Sequence, residues 1–205
     1  MMKRLSSVIV IVVVLVLSGC GGAVATGPTA VPPTPQPITN IDPAKEIVDF
    51  SLTNQAGEKV SLHDYKGKLI LLAFGYTHCP DVCPVTLARF KQVKDGLGTQ
   101  ADKVNFVFIS VDGERDTPAR MNEYLAMFDP AFVGLTGDQT AARDVIHQYG
   151  GEFVIKDAEG LRKNYSVDHT ATSFLMSADG KWIRTYAYNT APEIIVPDIK
   201  GVLGT

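Results

Sequence analysis

The sequence predicts an α/β fold built on a central sheet, and three observations carry that expectation. The continuous apolar run in Lys68–Phe74 (KLILLAF) and the mostly apolar Val104–Val111 (VNFVFISV) have the length and composition of strands buried on both faces. Stretches of helical periodicity follow each of them. Turn residues frame a two-stranded pattern near Asn54–Gly57 and another near Ala178–Gly180. Alternating strands and helices require a sheet covered by helical crossovers.

Taken in order, Val48–Leu62 (VDFSLTNQAGEKVSL) reads as a hairpin turning at Asn54–Gly57. After the Lys68–Phe74 strand, Leu87, Phe90, Val93 and Leu97 are spaced for one apolar helix face. The Val104–Val111 strand leads to Thr117-Pro118, an N-cap with proline at the first helical position, which opens a helix through Met127. Phe132–Thr136 (FVGLT) is a short strand and Gln139–Tyr149 a further helix. Thr172–Tyr188 forms a hairpin, and Pro192 opens a closing helix. This order resembles a thioredoxin-like fold with an N-terminal β-hairpin extension.

The chain has 205 residues, enough for one domain with extensions. Lys3 and Arg4 precede an apolar run, Leu5–Leu17, whose thirteen residues suit a signal-peptide core better than a membrane span. Leu17-Ser18-Gly19-Cys20 resembles a bacterial lipobox, so residues 1–19 are expected to be removed and Cys20 lipidated. Residues 20–40, uncharged and containing GPTAVPPTPQP, cannot bury apolar surface and read as an extended tether. The folded domain is expected to occupy residues 41–205, outside the cytoplasm and anchored to the cell membrane of a bacterium. Without Lys3 and Arg4 the chain keeps 17 basic against 22 acidic residues and shows no Lys/Arg cluster, which argues against nucleic acid as a partner.

Two of the three cysteines lie in Gly75–Leu87 (GYTHCPDVCPVTL), three residues apart and each followed by proline. A disulfide across so short a loop would staple almost nothing. Pro84 is tolerated only in the first turn of a helix, which puts Cys83 at the helix start and Cys79 in the loop before it. The partial positive charge there favours thiolates. Paired thiolates suit either disulfide exchange or a soft metal. Copper(I) accepts two or three thiolate ligands, whereas structural zinc wants four ligands.

A third ligand would be decisive, and the four histidines are where to look. His63 and His147 lie in polar surroundings and read as surface residues; His78 adjoins Cys79 and reads as local packing or tuning. Spacing alone leaves His169, in YSVDHTATSFLM, open between an ordinary loop residue and a ligand. The chain from about Val48 onward resembles the Sco/SenC family of membrane-tethered copper proteins. The match rests on Phe74–Pro84 (FGYTHCPDVCP), Val111–Pro118 (VDGERDTP) and Val167-Asp168-His169. The resemblance implies that Cys79, Cys83 and His169 are metal ligands and that copper is the metal. It also implies a metallochaperone serving the copper centre of cytochrome c oxidase. The expected partners are the oxidase subunit carrying that centre, a copper donor protein, a thiol reductase, and the membrane through the lipid anchor.

One departure from the family is visible, since Gly113 stands where proline is usual. Asp81 reads as an N-cap or a tuner of the thiolates, and Asp168 as an acceptor that orients the His169 ring. Asp112, Asp116 and Thr117 read first as strand-end turn and helix cap. The competing functions are an extracytoplasmic thiol–disulfide oxidoreductase acting on oxidase-subunit cysteines, with Cys79 and Cys83 as the redox pair, and a copper or redox sensor. The three-residue spacer and the lack of a proline before Thr172 argue against the oxidoreductase. Pro80 stands where a thiol peroxidase would carry Thr or Ser.

Overall fold

The computed structural model describes residues 38–157 and 164–204. The expected leader, the expected lipidation site Cys20 and the expected tether up to Pro37 lie outside the described residues. Among the described residues no helix is long and apolar enough to cross a membrane.

The strands are β1 (Ile38–Glu46), β2 (Ser51–Asn54), β3 (Lys59–Ser61), β4 (Leu69–Gly75), β5 (Val104–Ser110), β6 (Val133–Thr136), β7 (Phe153–Lys156), β8 (Ser166–His169), β9 (Ser173–Met176) and β10 (Lys181–Tyr186). The helices are α1 (Val82–Leu97), α2 (Pro118–Ala126), α3 (Gln139–Gln148) and α4 (Pro192–Val202). Eight strands form one sheet in the order β1-β10-β9-β4-β5-β6-β2-β3. Its centre is parallel, β4 to β5 to β6, and its flanks are antiparallel. The predicted hairpin β2–β3 closes one edge.

Every residue of β4 is buried, as its unbroken apolar run requires of a strand covered on both faces. Phe74 registers with Ile109, so Phe108 points to the opposite face. On one face Phe90 of α1 packs edge-on against Phe106 and Phe132, and Phe108 meets Tyr124 of α2. On the other, Phe74, Tyr149, Phe174 and Trp182 form a second aromatic layer at the end of α3. Gly180, with φ +88°, supplies the left-handed residue of the β9–β10 turn.

Two features differ from the sequence expectation. Ile38–Asn40, placed in the tether, belong to β1 and register with Tyr186–Arg184 of β10. Thr39 and Asn40 are polar and exposed and Ile38 is only partly buried, so no strand signal shows: an edge strand is held largely by backbone pairing. The second feature is β7–β8, a two-stranded ribbon outside the main sheet, in a stretch assigned no element. It carries His169.

Candidate metal centre

The three parallel strands end side by side at Gly75, Ser110 and Thr136, and the site is built on those carboxyl ends. In open α/β sheets this is where crossing connections leave a crevice. The loop after β4 carries Cys79, and α1 begins at Val82 with Pro84 in its first turn, so Cys83 is its second residue. Cys83 is buried at 1% exposure, with Sγ packed beside Gly75 and the Phe108 ring; Cys79 is only partly buried. Both are free thiols.

The helix start serves the two sulfurs unequally. The Cys83 N–H points at Cys79 Sγ, 3.4 Å away. A hydrogen bond from the Cys83 side chain holds the Cys79 thiol well below its ordinary pKa, helped by the backbone of Cys83 and Asp81 and opposed by burial. Cys83 is pushed up by the same shared proton and by its deeper burial. Of the two sulfurs, Cys79, the less buried one and the acceptor of the Cys83 N–H, is the one favoured as thiolate.

The ribbon folds back over this end of the sheet and puts His169 Nε2 3.3 Å from Cys83 Sγ. On the other side of the ring, Nδ1 lies 3.0 Å from the Thr170 carbonyl oxygen. A carbonyl can only accept, so Nδ1 carries the proton and Nε2 turns its lone pair toward the sulfurs. Tyr76 packs edge-on against the ring at 5.9 Å. Cys79 Sγ, Cys83 Sγ and a His169 ring nitrogen all lie within 4.8 Å of one another, and among the described residues this is the one cluster of its kind. A groove of about 390 Å³ leads to them between the Cys79–Val82 loop and β8.

Residues 39–204 match the profile of the family described as SCO1/SenC. The chain belongs to that family. An SCO2-like protein of Rickettsia felis is 32% identical over 204 residues, covering 98% of this chain and all of its own. The copper-bound structure of Bradyrhizobium japonicum ScoI is 42% identical, with a TM-score of 0.69 over 77% of this chain and 99% of that one. BsSco, a member of the Sco family of cytochrome c oxidase assembly proteins in which a disulfide switch has been identified, is 26% identical. Its TM-score is 0.62 over 80% of this chain and 96% of its own. The thioredoxin-like architecture predicted above is that of these SCO1/SenC structures.

The remaining predicted residues divide. His63 and His147 are about half exposed and pair with Asp49 and Glu152, away from the cluster. Asp81 stands at the N-cap of α1, but its side chain accepts no capping bond, and only its backbone bears on Cys79. Asp168 does not orient His169: its carboxylate is 71% exposed and faces Lys156 Nζ at 3.5 Å, while the Thr170 carbonyl holds the ring. Side chains alternate along a strand, so the neighbour of an inward histidine points out.

Asp112 and Asp116 exceed the turn-and-cap role. Both are fully buried. Asp116 accepts from the Thr77 N–H at 2.9 Å, the Thr77 hydroxyl at 2.6 Å and the Ser110 hydroxyl at 2.6 Å. His78 Nδ1 lies 3.1 Å from the same Thr77 hydroxyl, so the residue beside Cys79 is tied into this network. Thr117 caps α2 as expected, accepting from the Arg120 N–H. Gly113 has a local reason: a Cβ there would lie 1.6 Å from the Gly137 carbonyl oxygen. The loops after β5 and β6 touch backbone to backbone.

Proposed function

We propose that this chain binds one copper ion through Cys79 Sγ, Cys83 Sγ and His169 Nε2 and serves assembly of the copper centre of cytochrome c oxidase. The observation that carries the proposal is the convergence of these three donors within 4.8 Å, with the imidazole lone pair turned inward. Two soft sulfurs and one imidazole suit copper, and they fall one short of a closed structural zinc site. The copper held by B. japonicum ScoI and the assembly role of the BsSco family support the choice. Copper is cargo here, taken from a donor protein and passed to the oxidase subunit. Cys79 and Cys83 must be thiols when it arrives, so a thiol reductase precedes loading. Lipidation of Cys20 after removal of residues 1–19, with the proline-rich tether beyond it, would hold the domain outside the cytoplasm at the membrane; intact-mass analysis of the native protein tests it.

Copper stoichiometry and affinity on the reduced domain decide the reading. One copper per chain is expected. His169→Ala should weaken Cu(II) far more than Cu(I), since nitrogen matters more to the divalent ion, and Cys79→Ser or Cys83→Ser should weaken both. The inequality of the two thiols favours one other reading, a thiol–disulfide oxidoreductase with Cys79 as the attacking sulfur. A domain that turns over disulfides rapidly and holds no copper, with His169→Ala silent, would replace the chaperone with that enzyme.

A further inference from the structure

His169 is delivered by an element that the main sheet does not hold. The β7–β8 ribbon pairs only with itself among the described strands. At the end that bears His169 it is fixed to α3: Phe153, in register with His169, lies under the Arg143 guanidinium, and the Gly151 N–H bonds the Ile146 carbonyl. At its other end, where Lys156 faces Ser166, it is not packed flush. Tyr76, Pro80, Arg115, Tyr165 and Ser166 instead border a cavity of about 580 Å³.

One group of side chains bridges that gap. Arg115 donates from Nε to Asp112 Oδ2 at 2.5 Å and from Nη1 to the Tyr165 carbonyl at 3.0 Å. Its guanidinium lies 3.5 Å from the centre of the Tyr165 ring, and the Tyr165 hydroxyl returns to Asp112 Oδ1 at 2.6 Å. Tyr165 immediately precedes β8, four residues before His169. Arg115 Nη2 is buried with no partner among the described residues, so the guanidinium is held by two hydrogen bonds and ring contact rather than by a saturated set.

We infer that Arg115, with Asp112 and Tyr165, is the latch that docks the His169 ribbon on the cysteine loop and so sets how often the third ligand is in place. Arg115 touches neither sulfur nor ring nitrogen; it is a positioning residue. The inference deepens the copper reading and rests on it for the metal. When the latch opens, both sulfurs stay on α1 and its loop while β8 pivots about its α3-anchored end and His169 loses its fixed approach to them. Cu(I), satisfied by two thiolates, should feel this little, and Cu(II) should lose affinity in proportion to the fraction of time the site is complete.

The test uses the reduced domain and Arg115→Met, which keeps an apolar stem and removes the charge. In copper-free protein, amide exchange at Val167, beside the freed end of β8, should speed by about 10-fold or more while Leu71 and Val107 in the central strands stay unchanged. Cu(II) affinity should fall about 10–100-fold, as for other groups that orient a ligand, with Cu(I) changed less than about 3-fold. Arg115→Lys should restore little, because one ammonium cannot bond Asp112 and the Tyr165 carbonyl while stacking on the ring. If Arg115→Met unfolds the domain, Tyr165→Phe, which removes only the bond to Asp112, should show the same pattern more weakly. Unchanged ribbon exchange, or equal losses of Cu(I) and Cu(II), overturns the latch. A wild-type domain that binds no copper overturns the reading of the site, and the exchange measurement then judges the latch alone.

Discussion

Replacing Asp116 with alanine removes the acceptor for three buried donors at once: the Thr77 N–H, the Thr77 hydroxyl and the Ser110 hydroxyl. The hydroxyls can rotate toward other acceptors, that of Thr77 toward His78 Nδ1 at 3.1 Å, but the N–H cannot turn. A buried donor stranded without a partner costs about 1–3 kcal/mol, and bonds to a charged acceptor lie at the upper end. One fully stranded N–H and two partly rescued hydroxyls give a loss of about 3–5 kcal/mol. That is a large share of the roughly 5–15 kcal/mol that holds a domain together. Asp116→Asn keeps the shape and one acceptor oxygen, and its amide can donate to a rotated hydroxyl, so about 1–2 kcal/mol is expected. Urea unfolding of the reduced, copper-free domain measures both. With a slope of about 2 kcal/mol/M, the alanine midpoint should fall by about 2 M and the asparagine midpoint by less than half of that, slopes unchanged. An alanine variant within about 1 kcal/mol of wild type would show that this carboxylate does not organise the end of β4.

Three further outcomes follow from the geometry. Copper affinity should fall with pH by about one proton per ion across the neutral range, because Cys79 is already ionised and Cys83 still protonated; a slope of two would mean two ordinary thiols. Gly113→Ala or Gly113→Pro places a Cβ on the Gly137 carbonyl oxygen, which must move, and should cost about 1–3 kcal/mol by thermal or urea unfolding. A domain beginning at Ile38 should be as stable as the full chain. One beginning at Val48 loses β1, the Lys45 contact on Trp182 and the buried Ile47, and should be weaker by at least about 2 kcal/mol in the same assay.

Much of the sheet was legible because its signals are local. Leu69–Phe74 is an unbroken apolar run and Val104–Ser110 a nearly apolar one, and at that length, framed by turns and helical stretches, such runs suit strands buried on both faces. The helix at Thr117-Pro118 announces itself through a cap and a proline within two residues. What escaped has no local signature. In β1 most side chains are exposed, and its pairing with β10 is a property of β10. In β7 and β8 four residues apiece alternate between buried and exposed, too short a period to separate from a loop.

The site divides along the same line. The sulfurs were legible because Pro84 places the start of α1 and both cysteines fall within four residues of it. His169 was legible only by family resemblance, since its place depends on a ribbon folding back across 86 residues of sequence. The aspartates of the Val111–Pro118 loop read as turn and cap because aspartate at a strand end or before a helix ordinarily serves the local backbone. Their burial is a consequence of convergence: Thr77 from the β4 loop, Ser110 from β5, Arg115 from their own loop and Tyr165 from the ribbon each contribute a donor. The Asp112 N–H on the Ser110 hydroxyl joins the two carboxylates into one network. Asp116 thus holds the loop that bears Cys79, and Asp112 holds, through Arg115 and Tyr165, the ribbon that bears His169. The five residues of backbone between Ser110 and Asp116 tie both halves of the candidate ligand set to the same strand end. A charged loop beside a buried strand is therefore where the spacing of sulfur and imidazole is decided, although none of its residues reaches the metal-binding atoms.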